Sequence, residues 1–211
     1  MSRTARRSLP DVMELLPVHQ LLSYARNSIK YGAGIRRIIF GKEPETMKVI
    51  FLDIDGVLNR QENGQDEVIE EEKVALLSGL IHQTGALLVL HSGWRFFFGE
   101  SGKPLHPAGE KLIRTLKKHN LSLFGFTPDL SDETIRRTRR FSLVKAKEIL
   151  LWLQRQETTV ETYVILDDLN LKNAITDIHQ VKINGKTGLT KRDIEKAAAI
   201  LEGAFPIDSR P

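Results

Sequence analysis

Val49-Ile50-Phe51-Leu52-Asp53-Ile54-Asp55-Gly56-Val57-Leu58-Asn59 is the stretch from which the fold is read. An unbroken apolar run reads as a strand buried on both faces, the kind found in parallel sheets. The run stops at two carboxylates two residues apart. In open α/β sheets, ligands bind in the crevice beyond the carboxyl ends of the strands. Period-2 geometry points Asp53 and Asp55 the same way while the strand lasts, and the turn at Gly56 then swings Asp55 away. Two ionised carboxylates this close repel each other, which a cation between them or a shared proton relieves.

Two further strands end in polar groups. Leu87-Leu88-Val89-Leu90-His91-Ser92-Gly93-Trp94-Arg95 is an apolar run followed by a hydroxyl. Thr162-Tyr163-Val164-Ile165-Leu166-Asp167-Asp168 ends in a second pair of acids. Lys145 lies between them, near the start of a helical stretch that runs to Gln156. Other elements alternate around these strands. Helices are expected over 68–83, stopped by Gly85, and over 107–119, with Pro107 in the first turn. Strands are expected over 121–126 and 179–183. Ser142 is a candidate cap for the Lys145 helix, and Thr190-x-x-Asp193 reads as a capping box. The β-α-β-α alternation implies a parallel sheet with helices on both faces.

In this order the residues resemble the haloacid dehalogenase (HAD) superfamily of phosphotransferases. Asp53-Ile54-Asp55-Gly56 looks like its first motif, Ser92 its second, Lys145 its third and Asp167-Asp168 its fourth. Ser92-Gly93-Trp94-Arg95, the run from Lys145 to Leu153 and Gly188-Leu189-Thr190 resemble the HAD domain of "Swiss Army Knife" RNA-repair-type proteins. That family usually has Ser-Ser-Trp-Arg where this chain has Ser-Gly-Trp-Arg. It commonly has Arg where this chain has Lys145, so the charge survives but the guanidinium fork does not. The resemblance implies a Rossmann-like three-layer α/β fold with a central parallel sheet, and the loop lengths leave no room for a large cap domain. It also implies a Mg²⁺-dependent phosphatase. Asp53 would be the nucleophile that forms an aspartyl phosphate, and Asp55 the acid and base. Ser92, Gly93, Arg95 and Lys145 would meet the phosphoryl group. Asp53, the backbone carbonyl of Asp55, and Asp167 would hold Mg²⁺, with Asp168 behind them or paired with Lys145. One shared ion requires the Asp53 and Asp167 carboxylates to lie within ~5 Å of each other.

Several side chains carry two readings. Trp94 is core or a wall of the substrate pocket. Arg95 binds phosphate or pairs with an acid. His91 alternates away from Ser92, which suits a packed or capping role. Asn59 can hold the turn through its side chain. The loops at 60–67 and 127–141 are too short for a cap domain. An uncapped site suits a large phosphorylated substrate, such as a nucleic-acid end, as well as a small ester. Arg136, Arg137, Arg139 and Arg140 are either a solvated helix flank or a clamp for a polyanion. The competing function is a non-catalytic HAD-like binding protein whose basic arm docks a partner or membrane. The presence of every motif residue type argues against it.

The domain division expected is a basic N-terminal extension over 1–46 and a catalytic domain over 47–211. The extension carries eight Lys/Arg and four Asp/Glu, which leaves 23 of each in the remainder. The pI near 9.3 is therefore no sign that the catalytic part grips nucleic acid. The extension reads as a partner- or membrane-binding arm, a transit peptide, or the result of an early start with Met47 as the true one. The absence of Cys fits a reducing compartment, and a cytoplasmic location is expected. No apolar run approaches the ~18 residues of a membrane span. Oligomeric state is left open.

Overall fold

The structure, a computed structural model, describes residues 46–60 and 68–203. The N-terminal extension, apart from Thr46, and most of the 60–67 loop lie outside these residues. Strand β1 (Thr46–Leu52) forms the middle of a five-stranded sheet. It starts at Thr46, one residue earlier than the domain boundary expected from sequence. Its neighbours are β2 (Leu87–Leu90) and β4 (Thr159–Asp167), and β3 (Leu123–Phe126) and β5 (Gln180–Lys182) form the edges. The order is β3-β2-β1-β4-β5, and every pairing is parallel. The expected Rossmann-like α/β architecture is thus the one observed.

Alternation along β1 builds two cores. Ile50 and Leu52 face one layer, where α1 (Glu71–Thr84), α2 (Pro107–Lys118) and α6 (Lys191–Leu201) supply Val74, Leu77, Leu112, Leu116, Ala197 and Leu201. Val49 and Phe51 face the other, where α4 (Ser142–Gln154) supplies Ala146, Ile149 and Trp152. Phe51 is fully buried and makes edge contacts with Trp152 and Tyr163 at 5.3 and 5.8 Å. Truncating such a ring to Ala costs about 3–5 kcal/mol through lost transfer energy and the cavity left behind. Because β1 is covered on both faces, its run from Val49 to Leu52 is apolar and buried throughout.

Local signals place most helix ends. Gly85 closes α1 in the left-handed conformation, φ 67°, with its N–H on the Ile81 carbonyl. His106 accepts the Ala108 N–H ahead of Pro107 in α2. The Thr190–Asp193 capping box opens α6 with both reciprocal bonds. Three expectations need correction. Ser142 is the first residue of α4 and not its cap; Phe141 takes that place without a side-chain bond. Strand β3 begins at Leu123 and not Leu121. The 127–141 segment is not all loop, since α3 (Glu133–Thr138) runs through it. Asp132 caps α3 by accepting the Ile135 N–H at 2.7 Å. It buries no residue, so no apolar period announces it. A short helix, α5 (Ala174–Asp177), precedes β5. Among the described residues there is one sheet and no inserted cap domain. No helix among them is long and apolar enough to cross a membrane.

Candidate active site

The register of the sheet brings the chemistry together. Leu52 pairs with Leu166 and with Leu90, so Asp53, Asp167 and His91 come next on three adjacent strands. The Asp53 N–H donates to the Leu166 carbonyl at 2.9 Å, so Asp53 is still tied to the sheet. Lys145 comes from the first turn of α4 and reaches over the strand ends. Its Nζ lies 2.9 Å from Asp53 Oδ2 and 2.6 Å from Asp167 Oδ2. Asp53, Lys145 and Asp167 are all buried. Asp167 Oδ1 accepts the Leu169 N–H at 2.8 Å. One carboxylate oxygen each from Asp53, Asp167 and Asp168 lies within 4.8 Å of the others. That meets the distance the sequence requires of a shared ion.

Gly56 has two reasons to be glycine. Its φ is +74°, which a side chain disfavours. A Cβ there would also lie 2.8 Å from the Asp168 carboxyl carbon. The tight turn thus lets the first pair of acids approach the second. Asn59 holds the turn as expected: its Oδ1 accepts the Gly56 N–H at 2.7 Å and its Nδ2 donates to Asp55 Oδ1 at 3.0 Å.

Charge in this cluster does not balance among the described residues. Burial pushes the Asp167 carboxyl up, the Asp53 charge adds to it, and Lys145 only partly offsets both, leaving it at about 7. Asp168 is raised by burial and by Asp53. Burial pushes Lys145 down, but Asp53 and Asp167 more than reverse this and hold it protonated. One ammonium cannot neutralise three carboxylates in so small a volume. The donor set, all hard oxygens, fits a small divalent cation such as Mg²⁺. Asp53, Asp167 and Asp168 would hold it, and it would supply positive charge where a phosphoryl group carries negative charge.

The Asp55 carboxylate is not part of that cluster. It is turned to Trp94 and Asn59, which leaves the backbone carbonyl as the ligand expected of Asp55. Ser92 is buried and extended, with its Oγ accepting the Trp94 N–H. It caps the 3₁₀ turn Gly93–Phe97. Asp53, Asp55, Ser92, Gly93, Lys145 and Asp168 all line one cleft of about 490 Å³, and Arg95, Phe96, Arg139 and Phe141 extend its wall.

Arg95 takes its acid-pairing alternative. Its Nη1 and Nη2 donate to both oxygens of Glu148 at 3.2 and 2.9 Å, and Nη2 also reaches Asp129 at 3.0 Å. Arg95 therefore lines the cleft with its terminal nitrogens already engaged. Arg136 is drawn to Asp129 at 2.6 Å, while Arg137, Arg139 and Arg140 are exposed. His91 is buried, packs against Phe51 and shares a hydrogen bond with Thr127 at 3.1 Å. Burial first, then the Lys145 and Arg95 charges, pushes its ring well below the usual range, so it is neutral at neutral pH.

Sequence reasoning missed three side chains: Glu148, Asp129 and the polar edge of Trp94. Glu148 had a signal. It lies three residues after Lys145 on one helix face, where a buried acid demands a cation. Nothing local marked the other two.

A sequence model of the HAD domain in Swiss Army Knife RNA repair proteins matches residues 49–194. The match spans the four motif aspartates, Ser92 and Lys145, and ends within α6. No curated protein and no solved structure gives a significant match. With most of the chain matched, and with acids on adjacent strand ends around one buried lysine, the protein belongs to the family of HAD domains found in Swiss Army Knife RNA repair proteins, which at the family level implies a phosphoester hydrolase.

Proposed function

We propose that the protein is a Mg²⁺-dependent phosphomonoesterase that works through an aspartyl phosphate on Asp53. The observation that carries this reading is the Asp53–Lys145–Asp167–Asp168 cluster, whose Asp53, Lys145 and Asp168 line an open cleft. Asp53 is the nucleophile, since a carboxylate oxygen can take a phosphoryl group and split one hard displacement into two easier ones. Asp55 protonates the leaving oxygen and later takes a proton from the attacking water. Ser92 and the N–H groups that follow it offer donors to the phosphoryl oxygens, and Lys145 offers charge. Mg²⁺, when bound, neutralises phosphoryl charge and lowers repulsion toward the nucleophile.

The cleft wall supports a substrate larger than phosphate itself. Phe96 is exposed at its mouth, with the Arg95 and Arg136 guanidiniums 5.2 and 5.6 Å from its ring centre. Arg139, held in the left-handed conformation at the end of α3, also lines the cleft. No cap among the described residues closes it. A phosphorylated nucleic-acid end is the substrate class this wall suits best, and the family description names RNA repair proteins. The testing experiment is a hydrolysis screen of 3′- and 5′-phosphorylated oligonucleotides beside phosphorylated metabolites, with and without Mg²⁺. Phosphate release that needs Mg²⁺ and Asp53 is expected. Release from no substrate, or release indifferent to Asp53→Asn, overturns the reading.

A further inference from the structure

We propose that Trp94 is a positioning residue for catalysis, whose indole N–H holds the Asp55 carboxyl in place over the phosphoryl site. The proposal rests on the phosphatase reading above. Trp94 Nε1 lies 3.1 Å from Asp55 Oδ1 and 3.0 Å from Oδ2. A donor shared by both oxygens fixes the rotation of the carboxyl plane as well as its place. Asn59 Nδ2 adds a third contact at 3.0 Å, from within the turn itself.

The two partners of this contact differ in freedom. Asp55 sits exposed on a turn beyond the strand, where side-chain rotamers are ordinarily accessible. Trp94 is buried in the main core. Its ring meets Phe97 edge-on at 5.4 Å, and Phe97 stacks on His106 at 4.5 Å, the cap of α2. Its backbone N–H is held by Ser92 Oγ at 3.3 Å. A rigid ring therefore carries one polar atom to the edge of the cleft. A buried indole N–H needs an acceptor, and the acceptor here is Asp55, while Lys145 pairs with Asp53 and Asp167.

The chemistry explains why that placement matters. In the first step an Asp53 oxygen bonds to phosphorus, the P–O ester bond breaks, and the leaving oxygen takes the Asp55 proton. In the second, a water oxygen bonds to phosphorus, Asp55 takes the water proton, and the Asp53–phosphorus bond breaks to release phosphate. One carboxyl serves both steps and must return to the same position. Since Trp94 Nε1 reaches both oxygens, either can carry the proton while the other accepts from the indole. Proton transfer fails quickly with misplacement.

The test is kcat/KM across esters of graded leaving-group quality, for Trp94→Phe and for site-specific benzothienylalanine, which keeps the ring shape but replaces N–H by sulfur. An alkyl phosphate needs its leaving oxygen protonated, whereas 4-nitrophenyl phosphate does not. Loss of the donor should lower kcat/KM about tenfold or more on the alkyl ester and roughly twofold on the nitrophenyl ester. In an Asp55→Asn background the same replacement should change nothing further. An equal loss on every ester, or losses that add to Asp55→Asn, shows that Trp94 is core only and overturns the proposal. The benzothienyl replacement keeps the test valid if Trp94→Phe fails to fold. Wild-type protein that hydrolyses no ester defeats the phosphatase reading itself, a different result from an unselective Trp94 effect.

Discussion

Helix α4 places two buried charged side chains one turn apart, and they meet opposite fates. Glu148 joins Arg95, Asp129 and Arg136 in a cluster of two guanidiniums and two carboxylates. Lys145 joins Asp53 and Asp167, with Asp168 alongside. In the first cluster charge cancels and every group supports another. Burial pushes Asp129 up, but the Ser131 hydroxyl and N–H and both guanidiniums outweigh it and hold it at about 2. In the second, carboxylates outnumber the ammonium and Asp167 is displaced the other way, to about 7. A balanced buried cluster is a strut. An unbalanced one at strand ends is a place where a cation or a proton is still required.

The largest effect that can break this contrast is in activity. Asp53→Asn should lower phosphatase turnover by roughly 10³-fold or more while the melting temperature stays nearly constant, because shape is kept and only nucleophilicity is lost. Steady-state kinetics and a thermal melt on the same sample check both halves. Full turnover in the variant would mean that the unbalanced cluster is not the reacting site.

The strut should answer in stability instead. Glu148→Ala leaves Arg95 buried without its main partner, and such losses run at about 3–5 kcal/mol. Urea unfolding should show a drop of about 3 kcal/mol, with the folded fraction still able to hydrolyse a small ester. A drop confined to turnover would place Glu148 in the site rather than behind it.

Metal addition should separate the clusters again. Mg²⁺ at a hundred times its dissociation constant stabilises a site that exists only in the folded state by about 2.7 kcal/mol. Calorimetry should therefore show a rise in melting temperature with Mg²⁺ for wild type and for Arg136→Ala. Asp167→Ala should abolish the rise. An equal rise in all three would place the ion elsewhere.

The smallest effect is in pH dependence, and its two limbs have opposite signs. The Asp129 carboxyl is depressed in the folded state, so its contribution is present above about pH 4 and is lost as pH falls toward 2. Asp129 is partly solvated, so this amounts to about 1 kcal/mol after screening. Asp167 is raised, so without a divalent ion stability should fall as pH climbs from about 4 to about 7. Denaturation across that range should show Asp129→Asn flattening the acid limb and Mg²⁺ flattening the other. A single limb common to both treatments would mean that the clusters do not titrate independently.

Legibility followed the same division. Asp53, Ser92 and Asp167 were readable because each closes or follows an apolar run, and parallel register then sets strand ends side by side. Lys145 was readable only by its place in the motif order. Trp94 as a donor, Asp129 as a partner and helix α3 were not, and the helical spacing of Glu148 from Lys145 marked its face but not its partner. Arg95 had two open readings, and nothing within the run Ser92–Arg95 could choose between them. The N-terminal extension and most of the 60–67 loop lie outside the described residues.

By itself the sequence determined the parallel α/β sandwich, the strand ends that carry the acids, the helix stop at Gly85 and the helix start at Thr190. Those features rest on hydrophobic period and backbone chemistry, which act over a few neighbouring residues. Tertiary structure alone decided that Arg95 meets Glu148, 53 residues away, and that Trp94 meets Asp55, 39 residues away. A buried polar side chain bonds whichever partner the docking of helices brings within about 3 Å, and that docking is settled by packing over the whole core rather than by any local pattern.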